Sequence, residues 1–298
     1  MRSVSSWLPL ILLVGAGCAA NTALSSKPDL PASTVVLDAA TGAAIPPGEL
    51  LRRAEAAYFV LLGEIHDNSL HHSARGALLA AAQARHPAVV FEQFPRAPGP
   101  IPPPAAGESE EVWLDACGFD RKGWDWPLHA PIVSAAIAHA REIWGSGLSR
   151  DALRTVVQKG TGAAPPPLGD LIRQVPLDAE AQGAMDHELF EGHCGKLPAD
   201  RIWGMRAAQE VRDASMAEAL MAAGAAGPAW LIAGNSHVRT DIGVPRFLRR
   251  LAPARKLLVV GIAERGTTAA VPGAAAGQRY EVLIVTSPVT REDPCGGL

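Results

Sequence analysis

The stretch YFVLLGEIHDNSLHH, residues 58–72, decides how this chain folds. Tyr58 to Leu62 is an unbroken apolar run, the pattern of a β-strand buried on both faces between layers of helices. Gly63 then suits a sharp exit where backbone comes close to another group. Ser69–Arg85 repeats apolar residues at helical spacing, and a second apolar run, AVVF at 88–91, follows it. Strand, helix and strand within about 35 residues form a βαβ unit, because parallel strands need a long crossover connection.

Outward from that unit, Thr34–Leu37 reads as a short strand and Glu49–Ala57 as a helix. Pro95–Gly107 breaks all periodicity and reads as a surface loop. Helical patterns occupy Ser109–Cys117, Ile132–Ile143, Ser149–Gln158 and Ala199–Ala223, and strands resume at Ala229–Ala233, Lys256–Gly261 and Tyr280–Thr286. The expected fold class is therefore α/β: a mostly parallel β-sheet flanked by helices, with a helical insertion domain. The expected division is a signal peptide at 1–17, a tether at 18–33, a sheet domain built from 34–107 and 224–290, and the helical insertion at 108–223.

The chain has 298 residues, of which 48% are apolar and 19% charged, with a net charge of −3. That composition excludes a wholly disordered chain. With 27 basic and 30 acidic residues and no Lys/Arg-rich run, it also gives no electrostatic case for nucleic acid. At the N-terminus, Arg2 precedes an apolar stretch from Trp7 to Val14, and Gly15, Ala16 and Gly17 lead into Cys18. This reads as an export signal followed by a lipobox-like site, with Gly15 where Leu is usual. Cleavage before Cys18 and acylation of its thiol would anchor the protein to the bacterial cell envelope, at the outer membrane. Cys117, Cys194 and Cys295 then remain, enough for at most one disulfide, and all three pairings stay open.

Ligands of open parallel sheets bind beyond the carboxyl ends of the strands. Here those ends carry Glu64 and His66, with His72 one helical turn later, then Glu92, then Asn235 and His237. Asp67 and His71 are their neighbours. Any one of these has an ordinary reading as a cap, an ion pair or a solvated imidazole. Their convergence does not, since an unpaired buried charge costs several kcal/mol. A cation, a bound ligand or a dense hydrogen-bond network is expected there. His and carboxylate ligands suit a divalent transition metal. The HExxH, GxSxG, phosphate-loop and dinucleotide patterns are all absent. Asp213, on the amphipathic stretch 208–217, is placed either as support for this cluster or, more ordinarily, in a pair with a nearby Arg.

Several stretches resemble the ChaN-like haem-binding uptake family of the Tiki superfamily, related to erythromycin-esterase-like proteins. They are LLGEIHDNSLHH at 61–72, VVFEQF at 89–94, GWDWPLHAPI at 123–132, GLSRDAL at 147–153, AQEVRDASMA at 208–217 and LIAGNSHVRTDIGVP at 231–245. The resemblance implies a bacterial lipoprotein that binds haem in iron acquisition, with a parallel-rich sheet and a small helical domain. It places the site at Glu64, His66, His72, Glu92 and His237. Separately from the resemblance, a homodimer sharing haem between two protomers is an open expectation.

One departure concerns the iron. Tyr is common in this family where His129 stands here, and the whole chain has only Tyr58 and Tyr280. Axial ligation then falls to His, Met or Cys, with His129, His187, His193 and Met205 as candidates. Trp113, Trp124, Trp126 and Trp203 are available as pocket walls or as core. Three readings follow: a haem carrier without turnover, a metal-dependent hydrolase with Glu92 as general base, and a structural lipoprotein whose cluster is a polar core.

Overall fold

The computed structural model describes residues 27–291 and 295–296. The expected signal peptide, Cys18 and the first part of the tether lie outside them. In chain order the elements open with β1 (Val35–Asp38), α1 (Pro47–Ala56), β2 (Phe59–Leu62), α2 (Ser69–Ala81) and β3 (Ala88–Pro95). The middle holds α3 (Glu110–Ala116), α4 (Ala130–His139), β4 (Glu142–Gly147), α5 (Arg150–Lys159), α6 (Leu168–Gln174), α7 (Ala179–Gly192) and α8 (Ala199–Ala223). The chain closes with β5 (Ala229–Ile232), α9 (Asn235–Val238), α10 (Pro245–Leu251), β6 (Leu257–Glu264), α11 (Ala274–Arg279) and β7 (Val282–Thr286). Seven strands form one sheet in the order β1-β7-β6-β2-β5-β3-β4. Only β1 runs antiparallel, against β7; every other pairing is parallel.

The two-fold period of the strands divides the core. Val60 and Leu62 of β2 pack with Leu50, Leu78, Leu79 and Ile132, the faces of α1, α2 and α4. Phe59 and Leu61 turn the other way, onto Leu171, Val211, Ala214, Leu220 and Phe247 of α6, α8 and α10. Both faces of the sheet are thus covered, as the continuous apolar runs require.

The expected α/β architecture is present. The stretch 108–223 is not all helix, however. Residues Glu142–Gly147, partly within the expected helix Ile132–Ile143, are the edge strand β4, paired in parallel with β3. Its glycines are steric necessities: a Cβ at Gly145 would stand 2.1 Å from the Pro95 carbonyl oxygen. None of the described helices is long and apolar enough to cross a membrane.

Two features bring the site elements together. Asn68 caps α2, its side chain accepting from the Leu70 N–H. Gly76 lets α2 and α4 meet, because a Cβ there would lie 2.5 Å from the Pro131 carbonyl oxygen. That approach seats His129, just before α4, against His72 with ring centroids 4.0 Å apart. Gly76→Ala is expected to cost about 1–3 kcal/mol through overpacking and to push His129 outward. Thermal denaturation checks this; a variant as stable as the parent would contradict the close approach.

Candidate functional site

Glu64 leaves the carboxyl end of β2 with its side chain fully buried. Five groups surround its carboxylate. The Arg75 guanidinium, also fully buried, pairs with Oε2. The Gln93 amide donates to Oε1 at 3.0 Å. His66 Nδ1 lies 2.6 Å from Oε1, and His129 Nε2 lies 3.7 Å from it. His72 closes the shell: its Nε2–H donates to the His66 carbonyl at 2.9 Å, which leaves Nδ1 to accept from Arg75 at 2.8 Å, with Glu64 Oε2 also 2.9 Å from Nδ1. Burial pushes the His72 pKa down to about 4, against the hydrogen bond to the His66 carbonyl. Burial and the neighbouring His72 and Arg75 push His129 to about 2. Both imidazoles are therefore neutral. His129 is 2% exposed, and neither of its ring nitrogens has a hydrogen-bond partner. Glu64, His66 and His129 offer one ligand atom each within 4.8 Å of one another, the spacing of a metal-binding set.

A second charge cluster adjoins the first. Glu92, in β3, accepts the Gly234 N–H at 2.9 Å and faces His237 Nε2 at 3.4 Å. His237 Nδ1 bonds Asp213 of α8 at 2.6 Å. Burial works against a charged His237, but Glu92 and Asp213 outweigh it and raise the pKa to about 9. An imidazolium therefore sits between two carboxylates. Burial alone would raise the Glu92 pKa, yet His237 and His66 hold it well below the usual carboxylate range. His66 Nε2, 3.9 Å from Glu92, links the two clusters. Glu64, His66, His72, Glu92 and His237 are thus brought together, and Asp213 joins them by bonding His237 rather than an arginine.

Other residues singled out in the sequence stand apart. Asp67 is exposed and pairs with Arg291 at 3.0 Å. Buried His71 accepts the Ile65 N–H at Nδ1 and bonds Thr286 through Nε2, on the sheet side of α2. Asn235 uses its amide to hold both backbone groups of Ile262. Each of the three does structural work. His187 is exposed on α7. Tyr58 donates to the Gly224 carbonyl at 2.5 Å, and Tyr280 packs where a Cβ on Gly261 would be. Neither phenol lines the cavities described next.

His66, Glu92 and Gln93 carry the clusters to the wall of a crevice of about 840 Å³ at the carboxyl edge of the sheet, a size that suits a small organic ligand. Trp124, Leu148, Leu153 and Met216 give it apolar walls, and Arg96, Arg150 and Arg212 give it positive edges. Past Leu153, Arg150 and Arg212 it continues into a groove of about 480 Å³ between α5, α7 and α8, lined by His193 and Met205 among others. Of the four tryptophans, Trp124 alone reaches the crevice; Trp113 is core and Trp203 is exposed. Arg75, Gln93 and Arg212 were not singled out by the sequence reading. Arg75 had a signal: it lies three residues after His72, on the helix face that carries Leu78 and Leu79.

The family model described as "Haem-binding uptake, Tiki superfamily, ChaN" matches residues 50–248, more than half of the chain. A solved structure entitled "Cofacial heme binding to ChaN of Campylobacter jejuni" shares the fold, with a TM-score of 0.65 and 18% identity, over 84% of this chain and 96% of that one. No curated protein matches the chain.

Proposed function

Because the chain belongs to the haem-binding uptake family of the Tiki superfamily, with ChaN, we propose that it binds haem for iron acquisition, held at the bacterial outer membrane by lipid on Cys18. The observation that carries this reading is Arg212. It is half-buried on the wall shared by the crevice and the groove, and among the described residues it makes no ion pair. An unpaired guanidinium beside Trp124, Leu153 and Met216 suits a flat apolar ligand with carboxylate edges. Arginine binds such carboxylates in bidentate fashion. When bound, the haem supplies an iron centre; the protein's part is to enclose the macrocycle and neutralise its propionates.

A hemin titration of the soluble chain, followed by absorbance, tests the reading. Saturable binding is expected, and Arg212→Glu is expected to weaken it about 10–100-fold, the value of a charge-assisted hydrogen bond. Absorbance that stays that of free hemin throughout would overturn it.

A second reading, a metal-dependent hydrolase, is favoured by one observation. The unpartnered nitrogens of His129 converge with Glu64 and His66 as a ligand set for a divalent transition metal. Such an ion would supply Lewis acidity and an activated water, with Glu92 nearby as base. Arg75 argues the other way, because it already neutralises Glu64 without a metal. Stoichiometric metal by elemental analysis, removed by a chelator together with hydrolytic activity, would favour the hydrolase.

A further inference from the structure

The carrier reading leaves open which atom of this chain holds the iron. Phenolate is excluded by position, since Tyr58 is tied to the Gly224 carbonyl and Tyr280 packs beside Gly261. His129 is enclosed in the Glu64 cluster and His187 lines none of the cavities described above. His66 lines the crevice with its side chain 44% exposed, but its Nδ1 bonds Glu64 at 2.6 Å and its Nε2 faces Glu92 at 3.9 Å, so it belongs to the polar clusters at the sheet edge.

His193 differs on each count. It follows α7 and lines both the groove shared with Arg212 and a smaller cavity of about 180 Å³ beside it. Its Nδ1 lies 2.7 Å from the Leu189 carbonyl oxygen. A carbonyl only accepts, so Nδ1 carries a proton, and in the neutral imidazole the lone pair is then on Nε2. This is the arrangement of a metal-binding imidazole, whose other nitrogen donates to a backbone carbonyl. Among the described residues Nε2 has no hydrogen-bond partner. The next residue, Cys194, is joined to Cys295 across 101 residues, so a covalent tie fixes the turn on which His193 stands. A ligand placed in advance loses less freedom on binding. Met205 lines the same groove and supplies a thioether near the imidazole.

We propose that His193 is the axial ligand of the bound iron porphyrin, with the macrocycle in the groove between α5, α7 and α8 and its propionates towards Arg212. The proposal rests on the haem-binding reading above. It is a coordination bond from a neutral imidazole to ferric iron, with no change of oxidation state.

The test compares the parent, His193→Ala, His193→Gln and His187→Ala as full soluble chains. Hemin titrations give affinity, and electron paramagnetic resonance and resonance Raman spectra report the axial ligand. The parent and His187→Ala, a change at an exposed histidine outside the cavities, are expected to show an imidazole-ligated spectrum. Both His193 variants are expected to lose it, with at least a tenfold loss of affinity, and added imidazole is expected to restore the spectrum of His193→Ala. Circular dichroism melts establish that the variants are folded; His193→Gln, which keeps a polar side chain in the turn, serves if the alanine variant is not. Hemin bound by both His193 variants with parental spectrum and affinity would overturn this assignment and leave the carrier reading standing. A parent with no saturable hemin binding would overturn both.

Discussion

Replacing Arg75 by Met is expected to destabilise the protein by about 3–5 kcal/mol, the cost of stranding one partner of a buried ion pair. Arg75 and Glu64 are both fully buried, and the guanidinium also holds His72 Nδ1. Burial lowers the Arg75 pKa to about 9, so it remains a cation at neutral pH. Without it, the Glu64 carboxylate keeps only neutral donors. Glu64→Gln combined with Arg75→Met is expected to recover most of the loss, because a pair replaced on both sides leaves no orphaned charge. Urea denaturation of the two single variants and the double variant measures the coupling. Additive losses would mean that the pair is not the organising contact of the cluster. The same variants bear on the polar-core reading. If Arg75→Met lowers stability and leaves hemin affinity unchanged, the Glu64 cluster is scaffold and the ligand lies elsewhere.

The second large effect is with pH. His71 is fully buried, with Nδ1 accepting the Ile65 N–H and Nε2 on Thr286. Protonating Nδ1 would break the bond to Ile65. Burial lowers its pKa to about 3, against the pull of Glu264; His72 and Arg291 act with burial. The unfolded chain takes up a proton at ordinary histidine pH and the folded chain does not. The stability from this residue is therefore complete above pH ~6.5 and is lost as pH falls towards 3, at about 1.4 kcal/mol per unit. His72 adds a loss of the same sign. His237, raised to about 9, acts oppositely: its contribution is complete below pH ~6.5 and is lost as pH rises through 9. Stability is expected to peak near pH ~6.5 and to drop by about 2 kcal/mol by pH ~5 from His71 alone. His71→Gln should flatten that acid limb. An acid limb equally steep in the variant would contradict the assignment.

The central strands and the carboxyl-edge site were legible because both rest on patterns that a linear chain displays. YFVLL, AVVF and AWLI are uninterrupted apolar runs, and the charged residues sit immediately after them. Edge strand β4 was not legible. EIWGSG carries two glycines and lacks a continuous apolar run, and its glycines answer a contact with Phe94 and Pro95 that only the folded sheet creates. Helix α7 was missed for a related reason: only Met185 of its fourteen residues is buried, so it shows no apolar stripe. Within the site, His71 and His72 are adjacent in sequence but about 100° apart around the helix. One meets Thr286 and the other Glu64, a distinction that depends on the rotation of α2 against the sheet. Arg212 is a single charge among many on α8, and its lack of an ion-pair partner among the described residues is visible only in three dimensions.

Iron located in crystals of the hemin complex tests the central claim most directly. Anomalous scattering at the iron edge is expected to place one peak per chain in the groove between α5, α7 and α8, within coordination distance of His193 Nε2, with the propionates near Arg212. A peak among Glu64, His66 and His129, or on the opposite face of the sheet, would contradict it.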